Sequence, residues 1–161
     1  MVSKLIVKTS PYGLSFVIVL AWAVVALAGG FWITVDAPSK TDAQMKDAVL
    51  IVRPDGCQRP SDANLTGTAE GLVNGQRRSI PLQFTATSKG VYLVKQQWPA
   101  QGVWVVAITG SYLGHSSSAL VQWGPNGAQN LPARTVARKL QPEEINTALT
   151  TLASQSASAS R

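Results

Sequence analysis

From residue 48 onward apolar and polar side chains alternate with a period of two, in short runs cut by turn-forming residues, and this pattern confines the chain to antiparallel strands. Residues 48–53 read as a first strand, stopped by Pro54-Asp55-Gly56. In 64–73, Leu65, Gly67, Ala69, Gly71 and Val73 alternate with Thr66, Thr68 and Glu70, and the small residues predict something packed closely over their face. Asn74-Gly75 follows, a pair that tolerates the positive φ angles of a type I′ hairpin turn. On the return strand Ile80, Leu82, Phe84 and Ala86 face one way. Pro81 lacks a ladder donor, which predicts a sheet edge or a bulge. Lys89-Gly90 turns the chain into 91–98, and Pro99-Ala100-Gln101-Gly102 turns it again into 103–109, apolar at nearly every position as for a strand buried on both faces. Residues 118–123 form another short strand before Gly124-Pro125-Asn126-Gly127, and 134–140 a last one.

Strands at hairpin spacing with no helix between them predict an all-β fold, an immunoglobulin-like antiparallel β-sandwich over 48–140, with Phe84, Tyr92, Trp98, Trp104 and Ile108 in its core. Helical spacing returns only over 141–153. Pro142 suits the first turn, Glu143 and Glu144 oppose the helix dipole, and Ile145, Ala148, Leu149 and Leu152 share a face that docks on the sandwich or on a partner. Residues 154–161, rich in serine and alanine, predict a disordered tail.

Ahead of the strands, residues 14–35 are uncharged and mostly apolar, and Lys4 and Lys8 precede them. About 20 apolar residues suffice to cross a bilayer as a helix, and upstream lysines hold that end in the cytoplasm. Ala26-Leu27-Ala28 has the small-x-small pattern of signal-peptidase cleavage, whereas 31–35 restores spanning length and puts Trp32 where an interfacial aromatic sits. Residues 1–35 thus read as a signal peptide cleaved after Ala28 or as a signal-anchor helix, and 36–47 as a spacer. Either way the rest is exported, periplasmic or otherwise extracytoplasmic, and held at the inner membrane if the segment is retained.

The formal net charge is +6, from 14 Lys plus Arg against 8 Asp plus Glu. The basic groups are scattered and have no interleaved aromatics, which argues against nucleic acid as a partner. Cys57 is the single cysteine, so no intramolecular disulfide forms and the core must hold the domain. His115 is the single histidine. These two are the soft or borderline metal donors in the domain, and a copper or zinc site would have to use both. His115 followed by Ser116, Ser117 and Ser118 invites a remoter hydrolase reading. Neighbours on a strand face opposite ways, however, and no nucleophile-elbow motif is present.

Gly90-Val91-Tyr92, Gln97-Trp98-Pro99 and Gly102-Val103-Trp104-Val105-Val106 resemble the glycine-x-aromatic hairpin of small exported bacterial sandwich domains, the YtkA-like and FixH-like group, with a more distant similarity to CopC-type domains. The resemblance covers about residues 48–110 and implies an immunoglobulin-like fold in the bacterial envelope. Copper-handling members of that group use His and Met ligands. Here Met1 and Met45 are the only methionines, so a metal or small-ligand carrier would depend on Cys57 and His115. The reading that follows is a noncatalytic envelope protein without a cofactor, an interaction or accessory module with an envelope protein partner. Its working surface is expected at a sheet edge or in the loops around 55–62 and 113–118.

Overall fold

Two antiparallel sheets face each other across one apolar core in a computed structural model that describes residues 30–39, 43–87 and 90–159. The signal or anchor helix expected over 1–29 lies outside the described residues. In chain order the strands are β1 (Trp32–Asp36), β2 (Ala48–Asp55), β3 (Asn64–Val73), β4 (Gln76–Pro81), β5 (Phe84–Ala86), β6 (Tyr92–Lys95), β7 (Val103–Tyr112), β8 (His115–Gly124), β9 (Gly127–Ala128) and β10 (Thr135–Val136), followed by helix α1 (Pro142–Ala159). One sheet runs β1-β2-β6-β5. The other runs β10-β8-β7-β3-β4, with β9 beside β8. Among the described residues no helix is long and apolar enough to cross a membrane.

β1 corrects the reading of 31–35 as the end of a membrane helix. Phe31, Ile33 and Val35 are buried in the core while Trp32 and Thr34 point outward, which is strand periodicity. Pairing with β2 places Trp32 opposite Asp55 and Asp36 opposite Ile51. The far side of β1 is also engaged: the Ile33 N–H donates to Ser117 Oγ at 3.2 Å, and the Ala133 N–H donates to the Val35 carbonyl at 3.0 Å. β1 therefore closes one side of the sandwich, because its otherwise orphaned backbone groups find partners on β8 of the opposing sheet and in the segment leading to β10.

The expected spacer is likewise part of the fold. Asp36 pairs with Arg53 and Asp47 with Lys95, and Met45, at the end of a 3-10 turn over Ala43–Met45, covers Ile51 and Leu93 on the outer face of the first sheet. The single return strand expected after Asn74-Gly75 is split. β4 stays with β3 as far as Pro81, and β5 joins the other sheet. Pro81 has no N–H with which to extend the ladder, and the Leu82 N–H turns inward to the Gly67 carbonyl at 2.9 Å. Of the predicted core aromatics, Trp98 and Trp104 are buried, while Phe84 and Tyr92 are half-buried at its margin. The last strand expected over 134–140 shrinks to the two residues of β10.

α1 lies on the outer face of the second sheet. Leu149 and Leu152, flanked by Ile145 and Ala148, pack on Val103, Val105, Leu72 and Leu120, so the apolar face of the helix docks on its own sandwich. Toward the other end of that sheet the same face carries hydroxyls, with Thr66, Thr109 and Ser118 side by side in one cross-strand row. α1 also continues to Ala159, through most of the expected tail. There Ser154, Ser156 and Ser158 return hydrogen bonds to carbonyls of the preceding turn.

Candidate functional site

The chain enters the sandwich at Gly30, and the loops gathered around that point form its proximal end. Trp32 pairs with Asp55 at the end of β2, so loop 56–63 starts beside the point where the chain enters. Asn64 at the start of β3 pairs with Ser111, and Tyr112 pairs with His115 across the two-residue turn Leu113-Gly114. The two loops expected to form a working surface are thus brought to one end, although 50 or so residues of chain separate them. Close contacts hold them there. A Cβ on Gly56 would lie 2.1 Å from the Gly30 carbonyl and 2.6 Å from the Trp32 ring. One on Gly110 would lie 2.5 Å from Ile33 Cγ2, which leaves Phe31 room to stack on Tyr112 with ring centroids 6.1 Å apart.

Cys57 stands half-buried in loop 56–63, against the main core. Desolvation raises its thiol pKa above the ordinary value, and the negative charges of Asp55 and Asp62 raise it further. The fold thereby disfavours the thiolate that a soft metal or a nucleophilic mechanism needs. His115 is exposed at the first position of β8 and lines a cleft of about 410 Å³ together with Phe31, Ser116, Ala137, Arg138 and Lys139. Among the described residues no group of three or more His, Cys, Asp or Glu side chains gathers as a metal site would require. Two of the serines that suggested hydrolysis have structural partners: buried Ser117 accepts from the Ile33 N–H, and buried Ser118 shares a 2.8 Å hydrogen bond with Thr109.

Behind the cleft, Arg138 grips Glu144 with two hydrogen bonds of 2.7 and 2.8 Å, and the same carboxylate accepts from the Gln141 N–H at 2.8 Å, which caps that donor at the start of α1. The Arg138 hydrogen bonds first, then the backbone bond, lower the Glu144 pKa to about 2. A depressed carboxyl stabilises the folded form fully above its unfolded pKa of about 4.3, and the contribution disappears as pH falls through the folded value. A side-chain carbon NMR titration is expected to place the Glu144 midpoint near 2. Arg138→Ala is expected to move it back toward the ordinary carboxylate range, and an unmoved midpoint would mean that the clasp is absent in solution.

Basic charge is dispersed rather than gathered at this end. Arg53–Asp36, Arg59–Asp62, Arg77–Glu70, Lys95–Asp47 and Arg138–Glu144 form ion pairs spread over both sheets and the helix. Comparison with family models, curated proteins and solved structures finds no match to this chain.

Proposed function

We propose that this chain is a noncatalytic extracytoplasmic protein of the bacterial envelope, an immunoglobulin-like module that its N-terminal segment carries to the membrane and that presents loop 56–63 at its proximal end to a partner. The strand order supports the fold assignment: β1-β2-β6-β5 against β8-β7-β3-β4 corresponds to strands A-B-E-D against G-F-C-C′ of an immunoglobulin sandwich. In that correspondence loop 56–63 and the Leu113-Gly114 turn are the B–C and F–G loops, which serve recognition in many such domains.

The observation that carries the proposal is the junction at Gly30. An uncharged apolar run from residue 14 passes within two residues into a strand that is locked in the core, so whatever holds the run holds the proximal end beside it. The test is a reporter enzyme active only outside the cytoplasm, fused after Arg161, combined in the same bacterial cells with photo-crosslinking from Arg59 in loop 56–63. An active reporter and one discrete protein adduct are expected. An inactive reporter would overturn export, and a loop that yields no protein adduct would overturn the interaction role.

A further inference from the structure

Two hairpins of the second sheet turn in two residues, with both turn residues at positive φ. At the distal end of β3 these are Asn74 at 52° and Gly75 at 76°; at the proximal end they are Leu113 at 47° and Gly114 at 82°. The first turn has the residues such turns select. The second puts leucine where a Cβ crowds the backbone and where the side chain has no polar group to compensate with a local hydrogen bond. Leu113 is also 82 % exposed, so no burial within the fold offsets that strain. A residue that breaks a local rule without internal gain points to something outside the domain.

The other large apolar side chain left exposed among the described residues is Trp32, at 45 %, and it lies at the same end, two positions after Gly30 where the apolar run finishes. Lys139 lines the cleft adjoining Gly114, which sets a cation close to the tip. We propose that Leu113 and Trp32 sit in the interfacial zone of the lipid bilayer beside the N-terminal segment, with Lys139 at headgroup level. Leucine enters the acyl boundary, tryptophan favours the headgroup boundary, and a basic side chain meets anionic headgroups. The proposal rests on the reading above that the apolar run from residue 14 is retained in the membrane.

The full chain with Cys57→Ser would carry one new cysteine at a time, as Leu113→Cys, Asn126→Cys or Ala21→Cys, labelled with an environment-sensitive fluorophore. Each would be reconstituted in vesicles of phosphatidylcholine and phosphatidylglycerol with shallow spin-labelled lipid as quencher. Asn126 follows the far end of β8, about 30 Å from the tip at strand rise, and serves as the aqueous reference. The expected result is a blue shift and several-fold stronger quenching at 113 than at 126, with position 21 quenched as well. A label at 113 as exposed as that at 126, with 21 still quenched, would overturn the tip contact and leave the anchoring intact. An unquenched label at 21 would overturn the anchoring and this proposal with it. A label at 113 that is shielded yet unquenched by lipid would mean that protein, such as a second copy, covers the tip. Leu113→Asn separates this role from a folding one: the variant is expected to be at least as stable as the parent, and a loss of stability would show that the leucine serves the fold instead.

Discussion

Gly71→Ala is expected to destabilise the sandwich by about 3 kcal/mol, the upper part of the usual range for overpacking a filled core. The added methyl would lie 2.3 Å from Trp104 Cε3 and 2.4 Å from Cδ2, and neither side has slack. Trp104 is fully buried, and its Nε1 donates to the Gln101 carbonyl at 2.9 Å, so withdrawing the ring would leave a buried donor without its acceptor. Trp104→Ala is expected to cost about 4 kcal/mol through the cavity it opens. The pair forms a diagnostic cycle, because in the double variant the new methyl occupies part of the vacated space. The combined loss should fall short of the sum by about 2 kcal/mol. Guanidinium unfolding of the full chain followed by far-ultraviolet circular dichroism measures all three variants. Simple additivity would mean that Trp104 does not lie over Gly71.

Ile33→Ala should cost about 3 kcal/mol, within the range for truncating a buried isoleucine. The same swap on the lipid face of a spanning helix would scarcely affect a folded domain, since both side chains are apolar and no cavity forms. The pattern along β1 tells more than any one value. Phe31→Ala and Val35→Ala should join Ile33→Ala in lowering the unfolding midpoint, whereas Thr34→Ala should change stability by less than about 1 kcal/mol and Trp32→Ala should cost less than Phe31→Ala, because their side chains point outward and Trp32 keeps only its packing on Gly56. Alternation of large and small losses is the signature of a strand between two sheets. Equal tolerance at all five positions would return residues 31–35 to the membrane segment.

β1 also shows why part of the fold was hidden in the sequence. The alternation of Phe31, Ile33 and Val35 with Trp32 and Thr34 is present, but Trp32 is itself apolar and the stretch continues a long uncharged run, so a membrane-length window and a five-residue strand look alike there. Length favoured the wrong choice, and the pairing with β2 together with the long-range bonds at Ile33 and Val35 distinguishes the two. The opposite case is Asn74-Gly75. Its turn is specified by the local φ preferences of two residues, and the structure has positive φ at both. The α1 docking face was legible for a similar reason, since spacing of Ile145, Ala148, Leu149 and Leu152 depends on the helical repeat alone.

The candidate site was half visible. The loop around 55–62 could be named from turn composition, and Cys57 and His115 from donor chemistry, but of the loop expected over 113–118 only Leu113-Gly114 is a turn, because 115–118 pair with β7 as the start of β8. Their arrival at one end depends on the chain passing from β2 in one sheet to β3 in the other, and on β3 pairing with β7 and β7 with β8. Leu113 could not be singled out, because leucine before glycine is ordinary in a list of residues and informative only when its φ is positive and its side chain exposed.

Sequence alone therefore determined what is decided within a few residues: strand periodicity, the hairpin turn, the helix and its apolar face, the apolar run near the N-terminus and the scarcity of metal donors. Tertiary structure decided which sheet each strand joins, that 31–36 and 43–47 belong to the domain, and which loops share an end. Those outcomes come from pairings between distant segments, where burying an apolar face and satisfying every backbone donor outweigh any local preference.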